Sequence, residues 1–258
     1  MRRIRAWCAV LALVAPALVS GARAADDEIL VTDGDLAKPG EPELEVHTNY
    51  SRGSRESPGS GVFAPDGVLR VTPELSIGLS EHWDAGVYLP LSWVPGNGWY
   101  YDGIRLRAKV IEPRALSEDA QWYYGAQFEL ANQRPGVSPD QTSVEAKLVA
   151  GFEAGHWEGG INLLVQRDMP DPDLWSPAYG LNLRLARRLP GEVAVGLEHY
   201  AAWSSTDRQT PIRGVDHISF ATVSWKQRGW NLHLGVGHGW AASPDRTVVK
   251  LVIGVPLD

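Results

Sequence analysis

Cysteine is nearly absent. The 258-residue chain has one, Cys8, inside an N-terminal run that reads as a cleaved leader. The mature protein therefore has no disulfide and no thiolate chemistry. Long apolar runs are missing as well: after Val19 nothing approaches the roughly 20 residues that a membrane helix needs. No long helical period is visible. There is no glycine-rich phosphate loop, no Walker pattern and no cysteine or histidine cluster at metal-ligand spacing. His233 and His238 lie five apart and so face opposite sides of a strand. Neither a metal nor a cofactor is expected. Positive charge is scarce: four of the 24 basic residues lie in the first 24 positions, which leaves 20 against 31 acidic ones, a formal balance of −11. That excludes a nucleic-acid partner.

What is present begins with an export signal. Arg2, Arg3 and Arg5 precede an apolar run from Ala6 to Val19, and Ala22-Arg23-Ala24 supplies the small residues of a cleavage site. The expected organisation is a signal peptide over 1–24, an acidic tail or small plug over 25–41, and one domain over 42–258.

That domain alternates. Leu69, Val71, Leu75, Ile77 and Leu79 share one parity, with Arg70, Thr72, Glu74 and Ser76 on the other. Ile104, Leu106, Ala108 and Val110 oppose Arg105, Arg107 and Lys109. Period 2 places each set on its own face of a strand. Twelve such strands are expected, at about 43–51, 67–79, 83–93, 99–111, 121–131, 142–154, 157–167, 174–187, 191–202, 214–226, 230–240 and 246–257. Each runs about 9–14 residues, where soluble domains average nearer 5–6 and a tilted membrane strand needs about 9–11. Strand 214–226 breaks phase at Ile218 and Phe220, which a bulge or a shifted register would explain.

Long and short connectors take turns, with one exception at Pro113–Asp119. Outer-membrane barrels have short periplasmic turns and longer outer loops. Trp83, Trp122, Trp157 and Trp230 follow the short turns, while Trp93, Trp99, Trp175, Trp203 and Trp240 flank the long ones. Aromatics of this kind ride at headgroup level. No central position of the apolar parity carries Lys, Arg, Asp or Glu, where a Lys or Arg would cost about 2–4 kcal/mol at the midplane. The expectation is all-β: a closed antiparallel up-and-down transmembrane barrel in the outer membrane, in contact with its lipids and with small solutes.

The stretch Thr72-Pro73-Glu74-Leu75-Ser76-Ile77-Gly78-Leu79, running into His82-Trp83-Asp84-Ala85-Gly86-Val87-Tyr88-Leu89-Pro90-Leu91, resembles a hairpin of the barrels called the "MetA-pathway of phenol degradation" or transporter-like family. His156-Trp157-Glu158-Gly159-Gly160 echoes it. The resemblance implies an outer-membrane barrel, passage of small and in part aromatic solutes, and no catalytic residues. Many such barrels end in an aromatic residue read by the insertion machinery, a further expected partner. This chain ends Val255-Pro256-Leu257-Asp258.

The polar parity defines the lumen candidates: Arg70, Glu74, Arg105, Arg107, Lys109, Glu129, Glu145, Lys147, Glu158, Arg184 and Glu198, with Lys250, Glu153 and Glu192. Two readings stay open. Arg105, Arg107 and Lys109 form a basic ladder in a pore for small polar or anionic solutes, or the charges pair across strands, as Arg105 with Glu129, and fill the interior. A lipid hydrolase is the enzymatic alternative, because His217 and Ser219 share a strand face and Glu198 on the neighbouring strand is an orienting candidate.

Overall fold

The computed structural model describes residues 29–53, 63–64, 66–117, 120–137, 141–169, 177–204, 216–241, 243, 245–255 and 257. The residues expected to form a signal peptide, and Trp175, lie outside them.

Alternating residues can satisfy their backbone and hide one face only by pairing laterally, and here the pairing runs full circle. The strands are β1 (Pro42–Arg52), β2 (Leu69–Ser80), β3 (Trp83–Tyr88), β4 (Leu91–Val94), β5 (Gly98–Tyr101), β6 (Gly103–Ser117), β7 (Ala120–Gln133), β8 (Thr142–Ala154), β9 (Trp157–Met169), β10 (Ala178–Leu189), β11 (Val193–Ser204), β12 (Asp216–Gln227), β13 (Trp230–Ala241) and β14 (Thr247–Val255). Every pairing among these strands is antiparallel. β1 bonds to β2 on one side and to β14 on the other, which closes the barrel, and among the described strands the short β5, bonded to β4 alone, is the one left with a free edge.

The barrel has twelve staves, and two of the staves are each made of two strands. β3 and β4 share one; β5 and β6 share the next. The break falls at Pro90, which has no N–H to give, and at Asp102, whose N–H bonds Pro90 O at 2.9 Å. Gly103 follows with φ 136°, and a Cβ there would lie 2.1 Å from Asn132 O, so only glycine fits.

Two expectations are corrected. Pro113–Asp119 is not a long connector: β6 continues to Ser117 and β7 begins at Ala120. That exception is removed, and the connection that breaks the alternation is instead the three-residue one over 95–97, between β4 and β5. Nor does β12 contain a bulge, since its register to β11 and β13 is unbroken. Phe220 points inward by design of its surroundings: its ring occupies the place where a Cβ on Gly237 would sit, 2.5 Å away.

The outward face is apolar across its middle. Leu197 is 68% exposed and Leu148 62%, far too much apolar surface for water to cover without cost. Trp83, Trp122, Trp157 and Trp230 stand at the end of the short turns, and Trp93, Trp99, Trp203 and Trp240 at the far end, all exposed.

Candidate functional site

The polar parity faces inward, and the described N-terminal residues lie inside with it. Residues 29–39 enter at the short-turn end, where Pro39 bridges Gly78 and Gly40 N–H bonds Gly78 O at 2.9 Å. The passage is cleared by missing side chains. A Cβ on Gly78 would meet Ala37 O at 2.3 Å, and one on Gly34 would meet the Tyr123 ring at 2.8 Å. Farther in, Thr32 exchanges two bonds with Asn162: its N–H donates to Oδ1 at 2.8 Å, and Nδ2 donates to its carbonyl at 2.9 Å. Lys147 donates to Thr32 Oγ1 at 3.3 Å, Lys109 to Asp35 O at 2.5 Å and Lys250 to Ile29 O at 3.0 Å. Lys226 pairs with Asp35 Oδ2 at 2.7 Å, and Ala37 N–H donates to Asp84 Oδ2 at 3.2 Å. Leu36 packs on a small apolar cluster of Ile111, Tyr123 and Val149.

Three ion-pair networks line the wall. In the first, Arg107 bridges Glu74 Oε1 and Asp84 Oδ1, both at 2.8 Å, and Glu74 Oε2 also meets His47 Nε2 at 3.3 Å. The second centres on Glu198, which pairs with Lys250 and with His233 Nε2 at 2.9 Å; next to it Arg184 meets Glu158 at 2.6 Å. In the third, Arg105 meets Glu129 at 3.1 Å, and Lys147 lies 3.5 Å from Glu145 and 3.9 Å from Glu129. Arg70 is buried on the same inward face. The basic ladder is therefore paired in this state: Arg105 and Arg107 with strand carboxylates, and Lys109 with the Asp35 carbonyl as acceptor and Asp84 as its nearby carboxylate, 3.9 Å away.

Glu45 and His47 on β1 sit beside Glu74 on β2, with ligand atoms within 4.8 Å of one another. Spacing along the chain misses this group because it spans two strands. Arg107 already holds one Glu74 oxygen, so the group reads as part of the ion-pair network. Asp84, His47, His233, Asn162 and Tyr123 escaped the sequence reading too. Parity alone marks Asp84 and Asn162 as inward, but their partner, the N-terminal segment, has no period to place it.

Beside the segment a cavity of about 530 Å³ remains, lined by acids (Asp33, Asp35, Glu43, Glu45) and bases (Lys109, Arg184, Lys226). That is the scale of a small-molecule compartment, about 300–1,000 Å³. Burial first, and then the charge of Asp35, push the Asp33 carboxyl above its ordinary range. For Asp35 burial works the same way, but the charge and hydrogen bond of Lys226 outweigh it and hold the group low.

The hydrolase candidates divide between the two sides of the wall. His217 and Ser219 face outward at the far end. Glu198 faces inward, bound to Lys250, so it cannot orient His217; this corrects the expectation. What meets Ser219 instead is His199 of β11, its direct register partner, at 2.9 Å from Nδ1 to Oγ.

No protein-family model and no curated protein matches the chain. Solved structures do. The COG4313 outer membrane channel from Pseudomonas putida F1 aligns with TM-score 0.57 at 14% identity over 88% of this chain and 99% of its own. The NanC porin aligns with TM-score 0.56 at 9% identity over 83% of this chain and 100% of its own. Outer membrane phospholipase A from Escherichia coli aligns with TM-score 0.50 at 12% identity, covering 86% and 99%. The shared property is the outer-membrane β-barrel fold. Channels and an enzyme both use it, so function has to be argued from this chain's own residues.

Proposed function

We propose that the protein is a narrow outer-membrane channel for small polar solutes, with residues 29–39 seated in the lumen as an internal gate. The observation that carries this is how the segment is held. It is clamped chiefly by exchangeable polar contacts from Asn162, Lys109, Lys147, Lys226 and Lys250 and leaves a charged cavity beside it, rather than being fused into a continuous apolar core. Neighbours that are porins and channels support this reading at the level of fold. Solute choice belongs to the same proposal. Withdrawing Asp33 and Asp35 removes negative charge from a lumen that keeps Lys109 and Lys226 alongside Glu43 and Glu45, so opening shifts the balance toward anions. Resemblance of the 72–91 hairpin to the MetA-pathway barrels adds small aromatic acids as a class to assay.

Planar-bilayer conductance tests the gate. The mature chain has no native cysteine, so Thr32→Cys with Asn162→Cys gives one defined pair at a backbone–side-chain contact. Oxidised, it is expected to stay closed; after reduction, current of single channels is expected. A barrel that is ion-tight in the wild type, in the reduced pair and in a segment-displacing variant such as Gly34→Leu is a plugged structural barrel, and the channel reading is wrong.

A further inference from the structure

The outward face at the far end carries a polar group that conduction does not use. Ser219 and His217 are on β12, His199 on β11 and Trp240 on β13. The register places His199 opposite Ser219 and Trp240 opposite His217. Ser219 Oγ lies 2.9 Å from His199 Nδ1, and His199 Nε2 lies 3.2 Å from His217 Nδ1. Trp240 Nε1–H donates to Ser219 Oγ at 3.2 Å, and its ring stacks on His217 with centroids 4.5 Å apart and planes 12° from parallel. His217 is nine-tenths buried, and its Nε2 has no protein partner among the described residues.

Placed elsewhere, these side chains would be an ordinary polar patch. Here they interrupt a lipid-facing parity that continues with Ala221, Val223 and Trp225. Ser219 is the fourth residue of β12, so about 10 Å of strand separates it from the far rim. In a tilted strand that depth is the level just below the headgroups, where the exposed Trp203 and Trp240 also ride. Acyl ester carbonyls of membrane lipids lie there.

We propose that Ser219, His199 and His217 form a serine-nucleophile relay on the outside of the barrel that hydrolyses acyl esters of lipids in the outer leaflet. The relay has one productive direction. With its proton on Nε2, His199 donates to His217 Nδ1 and keeps Nδ1 as acceptor for the Ser219 hydroxyl. Ser219 Oγ attacks the ester carbonyl carbon and its proton passes to His199 Nδ1. The tetrahedral intermediate then expels the alcohol oxygen, which takes that proton, and leaves an acyl group on Oγ. Water attacks the acyl carbon, gives one proton to His199, and the fatty acid departs as Oγ recovers it. Ester and water become acid and alcohol, and no other reactant is consumed. His217 touches no reacting atom; it is a positioning residue that fixes the His199 tautomer and ring orientation. The Trp240 N–H, already at Oγ, is placed to donate to the oxygen that gains charge on the attached carbonyl. The opposite direction, with His199 donating to Ser219, makes the group a static hydrogen-bond cluster.

This stands apart from conduction, since an ion-tight barrel could carry it and an open one could lack it. The test uses the full mature chain, folded in detergent and checked by heat-modifiable gel migration for every variant. Three substrates are offered: phosphatidylethanolamine vesicles, purified lipid A in mixed micelles, and a long-chain p-nitrophenyl ester. A fluorophosphonate probe reads the nucleophile directly. Fatty-acid release from at least one substrate and labelling of the protein are expected. Ser219→Ala should abolish both, and His199→Ala should lower release by about 100-fold or more. His217→Phe should lower kcat by about 10-fold with KM unchanged, whereas His217→Asn, whose amide oxygen can still accept from His199, should stay within a few-fold of wild type. The phospholipid and lipid A arms tell which lipid supplies the ester. No release and no labelling, or release undiminished in Ser219→Ala, overturns the proposal. Unchanged kcat in His217→Phe removes His217 from it.

Discussion

Asn162 on β9 pairs with the backbone of Thr32 through both its amide oxygen and its amide nitrogen, as a neighbouring strand would. One inward side chain thus satisfies a buried donor and a buried acceptor of a segment that belongs to no sheet, in the middle of the barrel.

Asn162→Ala leaves both Thr32 groups without those partners. Each unpaired buried group costs about 1–3 kcal/mol. The barrel itself is expected to fold as before, while residues 29–39 become cleavable by a protease added to the detergent-solubilised protein and single-channel openings become more frequent.

Gly78→Val should have the larger effect on the segment, because the new Cβ falls 2.3 Å from Ala37 O and backbone cannot give way as a flexible side chain can. The expected outcome is a higher conductance than wild type and a reversal potential shifted toward anions. An unchanged reversal potential would mean that Asp33 and Asp35 do not set the charge of the path.

Lys250 is fully buried and its charge rests on Glu198. Glu198→Ala strips a buried cation of its partner, a change that costs about 3–5 kcal/mol. Urea unfolding followed by tryptophan fluorescence should show the loss. Replacing both residues, with Lys250→Met and Glu198→Leu, should recover most of it, because the fully buried Lys250 charge goes with its partner and Arg184 keeps Glu158.

The two aspartates give seating of the segment an optimum in pH. Asp35 has its carboxyl lowered when seated, so its contribution is present above 3.8 and disappears as pH falls through the seated value. Asp33 has its carboxyl raised, so its contribution is present below 3.8 and is lost as pH rises through the seated value. Open probability should therefore pass through a minimum near pH 4, and Asp33→Asn should flatten the rise on the alkaline side.

Leu197→Arg places a cation on the outward face about midway along β11. The expected cost is about 2–4 kcal/mol, read as a lower urea midpoint in lipid vesicles.

The sequence by itself determined the strands, their faces and the ends of the wall. Alternation is a local property: each residue's parity is set by its neighbours, and the cost of charge in hydrocarbon keeps Arg105, Arg107, Lys109, Glu145 and Lys147 on one side. Trp and turn residues mark the rims for equally local reasons. Arg105–Glu129 was legible because consecutive antiparallel strands put their residues side by side. What only the tertiary structure decided depends on groups brought together by closure. The segment over 29–39 has no period, and its seat is made by glycines whose absent side chains matter only once Tyr123 and the segment are packed against them. Phe220 looked like a fault in β12 until Gly237 opposite it made room. Glu198, near Ser219 in the pairing of β11 with β12, is on the other side of the wall, bound to Lys250. His199, one residue further along, is on Ser219's side, and a strand's twofold alternation made that difference.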